Sequence, residues 1–444
     1  MHVVSSRNRL GKAAVAACGL AALLAAPLAP AATAGARTDG SDTAGSDTPG
    51  SHPAGSDRSR AGEVITLRTA RVGAPGNPPV AVVPFTDAVY QSCADAPEGT
   101  SGCLTIGGVD YPYEIGQLEI TVGQWVAFLN TVDPEGRDRH DLYEDTESSS
   151  AWPKYGQADF DENARSGRHY AVAYPQWTDK PYGFANFLEA ARLANSLGNG
   201  RILSKETATE GRFTYVTYKV RLSPRTERGM YDLTERDATR TSDSGFVVPS
   251  QNEWVKAAYY DPSGGGTYSY WKYPTNAGVF GDGTATAPSP TVLNPTTGDV
   301  TNAATQPLAS YHASDLPAPS WCPAQVPSGV CATANPIGLD PTTYADVYQG
   351  SLSTVGQART TSPWGTLDQG GNAVEWTDTI TPPPGGTDGA RVWRRLHGGV
   401  SNAPAFQMWP SAVGLQPQDN VFYSHIYPWL GIRIGVIGDP GPRS

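Results

Sequence analysis

Three stretches of the chain carry the apolar spacing of a helix. Val122, Trp125, Val126 and Leu129 recur at i, i+3, i+4 and i+7, and Thr121 before them is a residue type that caps helix N-termini. The second stretch runs from about Tyr182 to Leu197. Phe184, Phe187, Leu188 and Ala191 form its apolar stripe, and Gly198 suits a C-terminal cap. The third opens on Ser250-Gln251-Asn252-Glu253, a capping box, with Trp254, Ala257 and Ala258 following on one face. Other apolar runs are short. Val64–Leu67 and Val80–Phe85 read as β-strands between Pro and Gly turns. Residues 261–366 are rich in Gly, Pro, Thr and Asn and predict short strands and irregular segments.

The ends of the chain follow other patterns. Arg7, Arg9 and Lys12 precede an apolar run from Ala13 to Leu28, and Ala32-Thr33-Ala34 is an A-x-A site. Residues 1–34 therefore read as a secretory signal peptide, too short in its apolar part to span a bilayer. A lipid-attachment reading at Cys18 fails because the apolar run continues past it. Residues 35–62 repeat Gly-Ser-Asp-Thr and bury nothing, so a disordered Gly/Ser/Asp linker is expected. An N-terminal β extension at 63–109, a main domain at 110–438 and a short tail at 439–444 complete the expected organisation. The expected location is extracellular.

Composition narrows the class. Among 444 residues there are 49 Gly and 38 Pro. That content favours loops and turns and excludes a helical bundle or coiled coil. Eleven Trp and 21 Tyr argue against a largely disordered chain. The formal net charge is −11, more acidic still once the leader is lost. Such a chain has no basic footprint for nucleic acid. No later stretch is apolar enough to span a membrane.

Four cysteines remain after the leader: Cys93, Cys103, Cys322 and Cys331. Four cysteines allow three pairings. Short loops close at the lowest entropic cost, which favours Cys93–Cys103 and Cys322–Cys331. Metal ligation is disfavoured because no C-x-x-C or adjacent His accompanies them. No nucleophile elbow, H-E-x-x-H or phosphate loop is present, and no catalytic residue is assigned. Trp393, Trp409 and Trp429 are candidates for stacking on a ligand or for core packing.

Five ordered segments carry a family likeness. They are Tyr113-Glu114-Ile115-Gly116 with Glu119–Trp125, Val248-Pro249-Ser250-Gln251-Asn252-Glu253-Trp254, Gly370-Gly371-Asn372-Ala373-Val374-Glu375-Trp376, Leu396-His397-Gly398-Gly399-Val400-Ser401, and Leu430-Gly431-Ile432-Arg433-Ile434. Their order and spacing resemble the formylglycine-generating enzyme, or sulfatase-modifying factor, family. The resemblance covers about 110–438. It implies an α+β, C-type-lectin-like fold with little regular structure, short twisted sheets and about three helices.

The resemblance also frames the chemistry. The best-known members oxidise a sulfatase cysteine with copper held by two cysteines just after the "GGS" segment, and soft thiolates suit Cu(I). Here Ala403 and Met408 stand at those positions, so copper is not expected. Relatives that form sulfoxides use iron held by histidines. His397 and His425 flank the corresponding segment, and a two-His-one-carboxylate site is the alternative considered. The family's calcium site maps onto Asp368, Gly371, Ala373 and Glu375, an oxygen-only set suited to Ca²⁺. The expected function is a secreted ligand- or partner-binding module of this family without the copper oxidase site. The alternative is an oxidoreductase of the same superfamily with a non-cysteine metal site.

Overall fold

A computed structural model describes residues 62–83, 103–143, 148, 157–264 and, with short interruptions, 269–311, 352–383, 391–419 and 429–441. The expected leader, nearly all of the linker, and Cys93, Cys322, Cys331 and His425 lie outside the described residues. Neither expected disulfide is therefore placed.

In chain order the elements are β1 (Val64–Val72), β2 (Val80–Val82), β3 (Leu104–Ile106), β4 (Tyr113–Gly116), α1 (Val122–Val132), β5 (Ala158–Phe160), β6 (Tyr170–Val172), α2 (Phe187–Gly198), β7 (Arg201–Glu210), β8 (Phe213–Arg221) and β9 (Gly245–Val247). Then follow α3 (Gln251–Tyr259), β10 (Ser289–Pro290), β11 (Leu308–Ala309), β12 (Val374–Thr381), β13 (Trp393–His397), β14 (Gly414–Pro417), β15 (Leu430–Gly431) and β16 (Gly435–Ile437).

Three α-helices stand among the described residues, each opened by a capping box. Thr121, Asn186 and Ser250 accept from the backbone N–H three residues on, and Gln124, Glu189 and Glu253 reach back. Such reciprocal bonds satisfy N–H groups that have no partner within the helix. The second helix starts at Phe187 rather than near Tyr182. Asn186-x-x-Glu189 is the capping box that sets this start, and Phe184 precedes it in an extended segment bridged to Leu430. Leu188, expected on the buried stripe, is only partly buried, while Leu193, Ala194 and Leu197 are buried.

A six-stranded antiparallel sheet runs β7-β8-β1-β4-β16-β9. The segment read as an N-terminal extension thus supplies β1, third in this sheet, with β2 and β3 pairing nearby against α3. Lys256 on α3 ties that segment down, donating to the carbonyls of Ala74 (2.9 Å) and Val109 (3.2 Å). The longest paired elements are the β7–β8 hairpin, turned at Gly211 with φ +59°. β7 is an edge strand, exposed along most of its length and carrying Lys205, Glu206 and Glu210. Charges of this kind guard an open edge against stray pairing.

The second sheet, β14-β13-β12-β15, is antiparallel except where β12 meets β15. The main core lies among α1, α2 and both sheets. Trp125 stacks on Tyr182 with ring centroids 4.3 Å apart, and Trp376 is wholly buried with its indole N–H on the Ala185 carbonyl.

Candidate functional site

The five family-like segments meet at one buried ion pair. Glu375 on β12 and Arg433 after β15 are both fully buried, with Arg433 Nη2 2.6 Å from Glu375 Oε1 and Nε 2.8 Å from Oε2. The indole N–H of Trp254 on α3 donates to Oε2 at 2.6 Å. Arg433 also donates to the carbonyls of Gly116 (2.9 Å) and Leu367 (3.0 Å). Every face of the pair is thereby answered, which is what a buried ion pair requires to be tolerated.

Two further carboxyls surround it. Glu119 accepts from the Asn372 amide at 2.8 Å and from the Ala373 N–H at 3.0 Å. Burial pushes its pKa well up, and Asp368 and Glu375 add to the push. Asp368 accepts from the Gly356 N–H at 2.5 Å, and burial lifts its carboxyl to about 6. Burial opposes the Arg433 charge, but the surrounding acids outweigh it, led by Glu375, and raise its pKa.

The loop that carries these groups needs its glycine. Gly371 sits at φ +83°, and a Cβ there would lie 2.0 Å from the Ser310 carbonyl oxygen. Asn372 at φ +58° then turns its side chain to Glu119 and to the Ser353 N–H. Left-handed backbone of this kind favours Gly and tolerates Asn.

The neighbouring strand of the same sheet is built differently. β13 pairs regularly with β14, Arg395 opposite Leu415 and Leu396 opposite Gly414, so Trp393, Arg395 and His397 share one face. His397 is buried and stacked on Trp254, ring centroids 5.2 Å apart. Its Nε2 lies 2.9 Å from the Gln251 amide nitrogen. That nitrogen donates, so Nε2 accepts and the proton sits on Nδ1. Burial, with Arg395 adding, lowers the His397 pKa to about 3, and the ring is neutral at physiological pH. Among the described residues its Nδ1 has no hydrogen-bond partner, and neither has Trp393 Nε1. Arg395 is half-buried, and its guanidinium has no ion-pair or hydrogen-bond partner among the described residues. Its sequence neighbour Arg394 points the other way and is fully engaged. Arg394 stacks on Phe187 at 3.8 Å and reaches the carbonyls of Asp378, Asp237 and Ala238.

The family model for the sulfatase-modifying factor enzyme 1-like domain matches residues 108–413, more than half of the chain. The chain belongs to this family. Among solved structures, the Treponema denticola variable protein 1 is similar over 84% of this chain and 99% of its own, at 14% identity and TM-score 0.38. CarF is similar over 85% of this chain and 99% of its own, at 15% identity and TM-score 0.32. PvdO from Pseudomonas aeruginosa is similar over 85% and 95%, at 11% identity and TM-score 0.31. No curated protein matches.

The sulfatase-modifying factor enzyme 1-like domain is α+β, with few helices and short sheets, as the resemblance implied. No helix among the described residues is long and apolar enough to cross a membrane. Of the residues expected to bind calcium, Asp368, Gly371, Ala373 and Glu375 all fall in the buried centre. The lone pairs of Glu375 face N–H donors of Arg433 and Trp254, so a cation at that carboxylate would require Arg433 to give way. Ala403 is buried, and Met408 is buried with Tyr273, Ala309 and Tyr311. The Met408 sulfur lies over Gly370, where an added Cβ would approach it to 3.3 Å. Trp409 lies partly buried, 6.4 Å from Tyr273 between ring centroids, with the Lys272 ammonium 4.7 Å from its own ring centroid. Trp429 is half-buried against the main core.

Glu119 and Arg433 lie within the family-like segments, yet their roles emerge only from the fold. Their partners are 253 and 58 residues away along the chain, and no local spacing announces such a pair.

Proposed function

We propose that this chain is a binding module of the sulfatase-modifying factor enzyme 1-like family that does not perform the copper-dependent oxidation of cysteine. One observation carries the reading: Met408, at one of the two positions matched to the copper cysteines, is packed in an apolar cluster with Tyr273 and Tyr311. A single buried thioether cannot stand in for two thiolates. The other position is Ala403, which has no ligating atom in its side chain. The 1–34 leader supports action outside the cell.

The test is direct. The full chain is incubated with Cu(I), oxygen and a sulfatase-derived peptide bearing the target cysteine. No aldehyde is expected; robust aldehyde formation overturns the reading. Calcium is a separate question at the buried centre. Binding by Asp368, Gly371, Ala373 and Glu375 would compete with the Glu375–Arg433 pair. With the ion pair as the resident state, chelator leaves the melting temperature unchanged. A drop with chelator that added Ca²⁺ restores, and that Glu375→Ala abolishes, means that calcium displaces Arg433.

A further inference from the structure

We propose that the face of β13 turned toward α3 is an anion-binding site, where the half-buried Arg395 guanidinium and the His397 Nδ1–H receive the carboxylate, phosphate or sulfate group of a ligand, with the Trp393 indole N–H on the same face two residues before Arg395. The inference rests on the binding-module reading above and names the chemical class of its ligand.

The argument begins with what the fold does elsewhere with its buried cations. Arg433 is neutralised by Glu375, and Arg240 is held by Glu253 at 2.7 Å and Asp378 at 2.5 Å. Arg394 is spread over backbone carbonyls. A guanidinium withdrawn from water needs such partners, because desolvation is otherwise uncompensated. Arg395 has none among the described residues. Two N–H groups on the same face share that condition, and a buried donor left unmade is costly in the same way. Three donors that the described residues leave unanswered, one of them a permanent cation, at alternate positions of one strand describe the complement of an anion.

The cross-strand neighbours point the same way. Leu415 stands opposite Arg395 on β14, and Pro417 and Thr381 stand opposite Trp393; on the β12 side Arg395 falls at the irregularity between Trp376 and Ile380, where the Asp378 carboxylate is already held by Arg240. Glu375 stands opposite His397, but its carboxylate is already taken by Arg433 and Trp254. The donor geometry is set in advance. Gln251 fixes the His397 tautomer with the proton on Nδ1, and Trp254 holds the ring plane. Residues at i and i+2 of a strand are about 7 Å apart, a span that one oxyanion bridges when the Arg side chain bends toward it. A planar guanidinium fork suits carboxylate, phosphate and sulfate alike. His397 stays neutral, so the charge comes from Arg395 alone.

The test uses the full chain, with ¹⁵N-labelled histidine and tryptophan, titrated separately with acetate, sulfate and inorganic phosphate at constant ionic strength. The expected result is a saturable shift of the His397 Nδ1 and Trp393 Nε1 resonances with at least one of the three. Arg395→Gln weakens that binding about tenfold or more, and Arg395→Lys retains part of it. Arg71→Gln, at an exposed site away from β13, leaves it unchanged. The anion bound most tightly tells a carboxylate ligand from a phosphorylated or sulfated one. Shifts that never saturate, or equal affinity in Arg395→Gln, overturn the proposal. Aldehyde formation in the copper experiment would overturn the binding-module reading and leave this result standing, so the two failures are distinct.

Discussion

Glu375 and His397 face each other across one strand pair, yet their surroundings are opposites. On the β12 side every polar group around Glu375 has its partner: Arg433, Trp254, and the Glu119 clamp on Asn372. On the β13 side, Trp393, Arg395 and His397 hold donors that the described residues leave unanswered. The family signature and the proposed anion site therefore occupy adjacent but different places. The closed network fixes how the five segments meet. The open row is where the chain has something left to offer a ligand.

The sharpest way to break this contrast is Glu375→Ala. It strands Arg433 in the core, and losing one partner of a buried pair costs about 3–5 kcal/mol. Urea unfolding should show a loss of that size or no folded protein at all. A loss below about 1 kcal/mol would mean that the centre is not the closed network described.

The next test is the pH dependence. Asp368 has a folded pKa of about 6 against an ordinary 3.8, raised first by burial. A raised carboxyl favours the protonated fold, so its contribution is whole below about pH 4 and is lost as pH rises through 6. Asp368→Asn stays neutral throughout. It should stabilise the chain at pH 7 by on the order of 2 kcal/mol and flatten the decline between pH 4 and 7. His397 acts in the other direction. With its folded pKa lowered to about 3, its contribution is whole above 6.5 and is lost as pH falls through 3. Unfolding midpoints measured across pH separate the two slopes.

Trp254→Phe should have a smaller effect. The ring stays to stack on His397, while the N–H to Glu375 is lost. A hydrogen bond to a charged group is worth about 1.5–3 kcal/mol, and the lower end is expected here because Arg433 still holds the carboxylate. Arg395→Gln should have the smallest effect, within about 0.5 kcal/mol of wild type in unfolding, because no partner is lost. A large destabilisation there would show that Arg395 serves the fold and would erase the contrast.

Local chemistry made much of the fold legible. Thr121 and Ser250 announced two helices through their caps, and both helices stand where expected. The second helix starts at Phe187, later than the aromatic run from Tyr182 suggests, because Asn186 is a cap as good as Ser or Thr. The β7–β8 hairpin is only half legible: Phe213–Arg221 has the pattern of a strand, with Tyr215, Val216, Tyr218 and Val220 buried. Its partner β7 is exposed nearly throughout and so carries no hydrophobic period to read. The site was legible only as a set of motifs. That Glu375 meets Arg433, and that Arg395 finds no counter-charge among the described residues, depends on which strands become neighbours, and sequence spacing does not encode that.

The position of β1 and β16 sets a constraint on time. They flank β4 in the middle of the large sheet, with Ala70 and Gly435 both registered on Ile115 from opposite sides. The first strand of the domain and the last are therefore separated by the width of one strand in space and by almost the whole domain along the chain. A polypeptide emerging from its N-terminus must carry β1 and β4 with an open flank until the final strand arrives. Contacts so distant in sequence form slowly, because the intervening chain must be ordered before they return any stability. Seating β16 on β4 is therefore the step of sheet formation that closes the longest loop.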